Sequence, residues 1–197
     1  MTEQQPYNAR LDAFLARHGA TDVPSIYHAV RNLGYYSSGD RTPDAVMETG
    51  RGACTAKHIL LRDLLRRHGE TAAVEIVGGD FAEGIPVVKG MPQALVDMIR
   101  QAGVLDYHCY VVWRGPEREL KLDATWPDAV APYGFTVNAD WAGEGDTTLA
   151  LRPTLVKVRE ENVVEEKEKL LSGLNTDQLE TRRAFLKLLS DWLAENT

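Results

Sequence analysis

The sequence predicts an α+β protein, and three observations lead to this fold class. Apolar residues recur at helical spacing toward both ends of the chain, two stretches in its middle are typical of strands, and a Gly-Pro turn joins these stretches. The elements come in the order helices, one strongly apolar helix, mostly antiparallel strands, and helices again, which is an α+β order. With 197 residues, 44% of them hydrophobic, the chain is long enough for one domain with its own core.

Three short helices are predicted in the first quarter of the chain. The first covers residues 7–18, and the second runs over about 25–32. The third lies within residues 42–50, where Thr42 is a typical N-cap and Pro43 occupies the first helical position. Glycines follow the first and third helices and predict where they end.

The next predicted helix runs over residues 54–68 and ends at Gly69. Its apolar face is broad, which predicts deep packing: Ile59, Leu60, Leu61, Leu64 and Leu65. A strand over 72–77 follows. The stretch 78–89 is Gly-rich and irregular, and a helix is predicted over 92–101.

Two strands, 107–114 and 119–124, flank Gly115-Pro116 and predict an antiparallel hairpin. A further strand is expected over 148–158, and helices over about 159–172 and from 175 or 176 onward. The last helix carries an apolar stripe that either packs on the core or forms a dimer seam, and the sequence leaves the oligomeric state open: Leu179, Phe185, Leu186, Leu189 and Trp192. We therefore expect one domain over 1–197, with a core over about 42–158 and a C-terminal helical segment over about 159–197.

The charge and composition exclude several functional classes. The net charge of −7 and the pI near 5.3 argue against binding to nucleic acid or to anionic lipid, and they do not favour an anionic substrate. No apolar run reaches the ~18–20 residues of a membrane span. The polar N-terminus lacks the features of a secretion signal, and two cysteines make no disulfide framework. The expected location is the cytoplasm.

Cys54 is the first candidate for chemistry. It follows Gly50-Arg51-Gly52-Ala53 and stands at the start of the buried helix. Unpaired N–H groups and the positive end of the helix dipole favour a thiolate there, and the thiolate is the nucleophile. The two glycines would let another backbone or a substrate approach closely. A buried structural cysteine is the alternative.

A thiolate nucleophile needs a base, and the base needs an orienting carboxylate. His108 lies in a predicted strand and shares a face with Tyr110 and Val112. Asp123 lies at the end of the paired strand, where the hairpin brings it beside His108. The alternatives are a core histidine and an exposed strand-end aspartate.

Together these residues resemble the transglutaminase-like superfamily of papain-like cysteine enzymes, in particular bacterial branches without a characterised function. The resemblance covers about residues 42–126 and rests on Gly52-Ala53-Cys54, His108-Cys109-Tyr110 and Leu122-Asp123-Ala124-Thr125. It implies a papain-like core with the Cys helix packed on an antiparallel sheet. It also implies Cys54 as nucleophile, His108 as acid and base, and Asp123 as the residue that orients His108.

The chain departs from this pattern in two ways. The separation of 54 residues between Cys54 and His108 is long for the family, and the excess lies in 78–103. This segment is expected to form a lid or a pocket wall, or else a surface insertion. Ala124 replaces the family's proline. No calcium-loop pattern is evident, and no cofactor is expected.

The expected function is cysteine-dependent acyl transfer from a small-molecule or peptide amide, ester or thioester to water or an amine. Tyr35, Tyr36 and Trp126 are candidates for shaping the substrate pocket. Two other functions stay open: a non-catalytic binding module on the same fold, and an acetyl-CoA-dependent enzyme similar to arylamine N-acetyltransferases. The second oxyanion donor is unidentified.

His58 raises two rival interpretations of the site. It follows Cys54 by four residues on one helix face, so it competes with His108 as base. With His108 and Cys109 it also suggests a zinc site. Because His108 and Cys109 point to opposite faces of a strand, we expect no metal. The charged run around Lys167 is expected to be a solvated helix face.

Overall fold

The computed structural model of the protein describes residues 4–37 and 39–197. In this part the helices are α1 (Gln4–His18), α2 (Val23–Arg31), α3 (Pro43–Thr49), α4 (Cys54–Arg67), α5 (Gln93–Gln101), α6 (Val163–Ser172) and α7 (Thr176–Asn196). The strands are β1 (Gly34–Tyr35), β2 (Arg51–Gly52), β3 (Ala72–Asp80), β4 (Leu105–Arg114), β5 (Glu119–Leu122) and β6 (Leu155–Glu160). Residues 1–3, which belong to the polar N-terminus considered above, lie outside the described part.

The main sheet is antiparallel, with the strand order β5-β4-β3-β6. β3 and β4 pair along their whole length, from Ala72 opposite Trp113 to Asp80 opposite Leu105. The predicted hairpin of β4 and β5 is present, and its last pair is Val111 with Leu122. β1 and β2 form a separate, short parallel pair just before α4.

α4 packs on this sheet. Leu60, Leu61, Leu64 and Leu65 are fully buried in a core that also contains Val74, Ile76, Cys109 and Val111 from β3 and β4. Side chains alternate along β4, so Tyr110 and Val112 enter a second core on the opposite face of the sheet. The predictions of an α+β fold and of the Cys-bearing helix on an antiparallel sheet are confirmed.

The second core is built largely by the last helix. The apolar stripe of α7 is buried against α5 and the sheet: Phe185, Leu186, Leu189, Trp192 and Leu193. Asn175 begins the helix with a capping box to Gln178, as its spacing predicts. The stripe therefore packs on the core of its own chain, which was one of the two alternatives.

The prediction of a strand over 148–158 is wrong for residues 148–154, which form no strand. β6 begins only at Leu155, because the preceding segment crosses the end of β5 instead of pairing with a strand. There, Thr147 Oγ1 accepts a hydrogen bond from the amide of Asp123, and the amide of Ala150 donates to the Asp123 carboxylate. β6 continues to Glu160, opposite Val74, so the helix expected from 159 begins at Val163.

None of the helices in the described part of the chain combines the length and apolar character needed to span a membrane.

Candidate active site

Cys54 is the first residue of α4 and is 3% exposed. The N-cap is Ala53, whose side chain cannot accept a hydrogen bond from the first turn. No side chain therefore caps these amides, and the positive end of the helix dipole acts on the Cys54 sulfur. These local features favour a thiolate at this position.

The two glycines before Cys54 have structural roles. Gly50 ends α3 with a φ of +71°, a conformation that glycine adopts without strain. At Gly52, a Cβ atom would lie 2.6 Å from Cγ2 of Val46. The group that approaches Gly52 is therefore the Val46 side chain of α3, not the backbone or substrate that the sequence analysis expected, and this contact packs the start of α4 against α3.

His108 and Asp123 form a fully buried pair. His108 Nε2 lies 2.7 Å from Asp123 Oδ2, so it donates to the carboxylate. The same carboxylate accepts from the amide and hydroxyl of Thr125 and from the amide of Ala150. Asp123 stands just past Leu122, where β5 ends, and these donors hold its side chain in one orientation. Burial alone would raise the pKa of Asp123, but His108 keeps it well below its usual value.

The other ring nitrogen of His108 is not bound to Asp123. Nδ1 is buried and has no hydrogen-bond partner among the described residues. Burial lowers the pKa of His108, but the charges of Asp123 and Cys54 outweigh this effect and raise it to about 10. Because Nε2 is bound to Asp123, Nδ1 is the ring nitrogen that remains without a partner.

The pKa of Cys54 is held well below its usual value. The neighbouring Cys109 thiol has the largest effect, burial opposes it, and the charges of Lys167 and His108 lower the pKa further. The pKa of Cys109 is raised by the same contact with Cys54 and by burial, so Cys109 stays a thiol. The site therefore favours a Cys54 thiolate beside a His108 imidazolium.

His58 does not compete for the role of base. Its Nδ1 lies 2.7 Å from the carbonyl oxygen of Cys54, which only accepts, so Nδ1 carries the proton. Its Nε2 accepts a hydrogen bond of 2.7 Å from the amide of Ala124. Both ring nitrogens are thus engaged with the backbone, and Nε2 also lies 3.5 Å from Asp123 Oδ1. His58 ties the start of α4 to the end of β5.

Lys167 is a site residue that the sequence analysis missed. It lies on α6 and is 2% exposed, so its assignment to a solvated helix face was wrong. Its Nζ lies 3.7 Å from Cys54 Sγ and 3.0 Å from Thr55 Oγ1. The charged run around Lys167 contains no signal for this, since only the packing of α6 beside α4 brings it to the thiol.

Replacing Lys167 with methionine is expected to raise the pKa of Cys54 by about one pH unit or more, because a buried opposite charge is removed from the thiolate. The measurement is the rate of Cys54 alkylation by iodoacetamide as a function of pH. Lys169→Met, in the exposed part of the same helix, is the matched control and should leave the midpoint in place. An unchanged midpoint in Lys167→Met would show that Lys167 does not stabilise the thiolate.

Of the three residues expected to shape the substrate pocket, two lie in the core and one lies toward the surface. Tyr35 and Trp126 are buried, with ring centroids 4.9 Å apart. Phe81, from the 78–103 segment, stacks 6.3 Å from the His108 ring and 6.1 Å from Trp126. These aromatic rings form the wall behind the histidine. Tyr36 lies toward the surface, where the guanidinium of Arg51 covers its ring at 4.3 Å.

A cavity of about 380 Å³ opens beside the start of α4 and is lined by Ala53 and Thr55, the two neighbours of Cys54 in the chain. Tyr36 and Lys167 also line it, and α7 supplies much of the remaining wall. The C-terminal segment thus contributes directly to the candidate site. A larger cavity of about 520 Å³ lies between α1 and α3, and its lining contains none of the candidate site residues.

Within the described residues, no group of three or more His, Cys, Asp and Glu side chains is arranged to hold a metal ion.

No model of a protein family matches the chain, and neither does any curated protein. The chemistry of the site is therefore inferred from the contacts of Cys54, His108 and Asp123 themselves.

Proposed function

We propose that the protein is a cysteine-dependent acyl-transfer enzyme in which Cys54 carries the acyl group. The observation that carries this proposal is the buried and unpartnered Nδ1 of His108, in a ring that Asp123 fixes through Nε2 and whose pKa the nearby Cys54 raises. A buried polar atom without a hydrogen-bond partner lowers the stability of a protein, so a purely structural role does not explain it. In a nucleophile–base pair, this atom has a function.

The reaction follows from these positions. The Cys54 thiolate attacks the carbonyl carbon of an amide, ester or thioester, and a C–S bond forms. The bond to the leaving group then breaks, and the leaving group takes the proton from Nδ1 of His108. Water or an amine next attacks the thioester and gives a proton to Nδ1, and the C–S bond breaks to regenerate the thiolate. Water as acceptor makes the enzyme a hydrolase, and an amine makes it a transferase.

Two groups are suited to stabilise the oxyanion of the tetrahedral intermediate. The backbone N–H of Cys54 belongs to the uncapped helix start and is one donor. The ammonium of Lys167 lies near the sulfur and is the second donor in this proposal. During the attack, the negative charge moves from the Cys54 sulfur to the carbonyl oxygen of the substrate, two bonds away. The Lys167 ammonium can stay close to this charge without a large movement.

The order of the three residues supports the resemblance to the transglutaminase-like superfamily. Cys54 starts a helix, His108 lies on a strand of the sheet that this helix packs on, and Asp123 follows the next strand. We therefore propose that the protein has a papain-like core and is related to this superfamily.

The test is a reaction with excess 4-nitrophenyl acetate. We expect a burst of nitrophenolate equivalent to the protein concentration, and one acetyl group on the peptide that contains Cys54. Peptide mapping is decisive because the chain has only two cysteines, Cys54 and Cys109. Cys54→Ala should lose both signals while keeping its thermal unfolding midpoint. An unacylated Cys54 that alkylates only near the ~8.5 pKa of a free thiol would contradict the proposal and favour a binding module.

A further inference from the structure

Lys167 brings a primary amine next to the sulfur that carries the acyl group in the proposed mechanism. Its Nζ lies 3.7 Å from Cys54 Sγ, and the residue is 2% exposed. Thr55 Oγ1 accepts a hydrogen bond of 3.0 Å from the same nitrogen and holds it beside the start of α4. The amine is therefore fixed in position relative to the sulfur.

The separation between this amine and the sulfur is close to that of two reacting groups. In a thioester of Cys54, the carbonyl carbon is bonded directly to Sγ, the atom that lies 3.7 Å from Nζ of Lys167. Reacting atoms about 3–3.5 Å apart are in a near-attack geometry, and intramolecular reactions of this kind reach effective concentrations of roughly 10⁵ M or more. An acyl group on Cys54 is therefore within reach of the Lys167 amine.

The charge of Lys167 depends on the state of Cys54. Burial lowers the pKa of Lys167, but the charges of Cys54 and Asp106 raise it overall, so Lys167 is an ammonium ion beside the free thiolate. A thioester is uncharged, and acylation of Cys54 removes the larger of these two raising effects. Asp106 remains, but Arg182 already binds it at 2.5 Å. Acylation therefore lowers the pKa of Lys167 and favours the neutral amine, which is the nucleophilic form.

We propose that Lys167 accepts the acyl group from Cys54 and forms an amide with it. This inference rests on the proposed acyl transfer and names an acceptor amine within the chain itself. Lys167 loses two protons in the reaction: one returns to Nδ1 of His108, which gave its proton to the leaving group, and the other goes to water. The nitrogen attacks the thioester carbon, a C–N bond forms, and the C–S bond breaks to restore the Cys54 thiolate.

The transfer also changes the site that remains. The amide nitrogen of acylated Lys167 carries no charge, so the restored Cys54 thiolate loses the cation beside it, as it does in Lys167→Met. Its pKa then rises. Transfer to Lys167 thus limits further turnover when neither water nor an external amine deacylates Cys54 first.

The test follows one acetyl group after a single acylation. The protein reacts briefly with 4-nitrophenyl acetate, the ester is removed by desalting, and tandem mass spectrometry locates the acetyl group over time. We expect it to leave Cys54 and to appear on Lys167 in about tenfold greater yield than on Lys169 or more. Lys169 is the internal control, because its side chain is 74% exposed and reacts with the ester directly. Hydroxylamine should remove the acetyl group from Cys54 but not from either lysine.

Two variants separate transfer from direct reaction with the ester. Cys54→Ala should lose the acetyl group on Lys167 and keep the one on Lys169. Lys167→Arg keeps a positive charge at this position, but a guanidinium does not give up its proton and is no acceptor. In this variant Cys54 should still be acetylated, and the acetyl group should leave it only as acetate.

Three outcomes would overturn the inference, and they are distinguishable. Wild-type protein in which Cys54 is acetylated and releases only acetate would refute transfer to Lys167 and leave the proposed acyl transfer standing. Acetylation of Lys167 at the wild-type level in Cys54→Ala would show that the ester reaches the lysine directly. A Cys54 that is never acetylated would reject the proposed function, and the inference with it.

Discussion

Replacing His108 with glutamine is expected to lower kcat/KM for acyl transfer by about 10⁴-fold or more, as loss of the base does in enzymes with a nucleophile–base pair. Glutamine can still donate a hydrogen bond to Asp123, but it cannot accept and return a proton near neutral pH. The leaving group then departs without a proton, and the Cys54 thiolate loses the imidazolium beside it. Both effects slow the acylation of Cys54.

This variant also tests the thiolate without any substrate. In the wild type, we expect the rate of alkylation by iodoacetamide to be constant from neutral pH toward about 10, because Cys54 is already ionised and His108 loses its proton only near the upper limit. In His108→Gln, the midpoint should rise toward the free-thiol value. His28→Gln, at a partly buried histidine bound to the Trp141 carbonyl, is the matched control. Wild-type rates in His108→Gln would exclude His108 as the base.

Asp123→Asn is expected to lower both the stability and the activity of the protein. All four hydrogen bonds to the carboxylate come from donors, on His108, Thr125 and Ala150. An asparagine amide nitrogen placed at either oxygen position would face donors and would leave them unpaired. Unpaired buried groups cost about 1–3 kcal/mol each, so we expect the free energy of unfolding to fall by about 3 kcal/mol. We expect kcat/KM to fall by about 10⁴-fold, because His108 loses its orientation.

The measurements are urea unfolding at pH 7 and the pH dependence of acylation. Asp146→Asn is the matched control, since this carboxylate also accepts from an arginine and a backbone amide but lies at the surface. It should change the free energy of unfolding by less than about 1 kcal/mol. If Asp123→Asn matched the wild type in stability and in rate, the carboxylate would have neither an orienting nor a structural role.

Much of the architecture could be predicted because its signals are local. The apolar face of α4, the capping box of α7 and the Gly115-Pro116 turn all act between neighbours in the chain. Strand alternation likewise places His108 and Cys109 on opposite faces of β4. For the same reason His108 and Asp123 could be proposed as a pair, since a hairpin fixes which residues of its two strands lie close together. Cys54 was proposed from its place at the start of a helix, and the resemblance joined it to the pair.

What the amino-acid sequence determined by itself is therefore the class of the fold and the three candidate residues for chemistry. Only the tertiary structure decided the surroundings of those residues. The packing of α6 brings Lys167 to the Cys54 sulfur. The Ala124 amide donates a hydrogen bond to Nε2 of His58, and the Phe81 ring stacks on that of His108. The physical reason is distance along the chain. Lys167 and Cys54 are separated by 113 residues, and no local propensity encodes a contact that forms only when helices and sheet pack together.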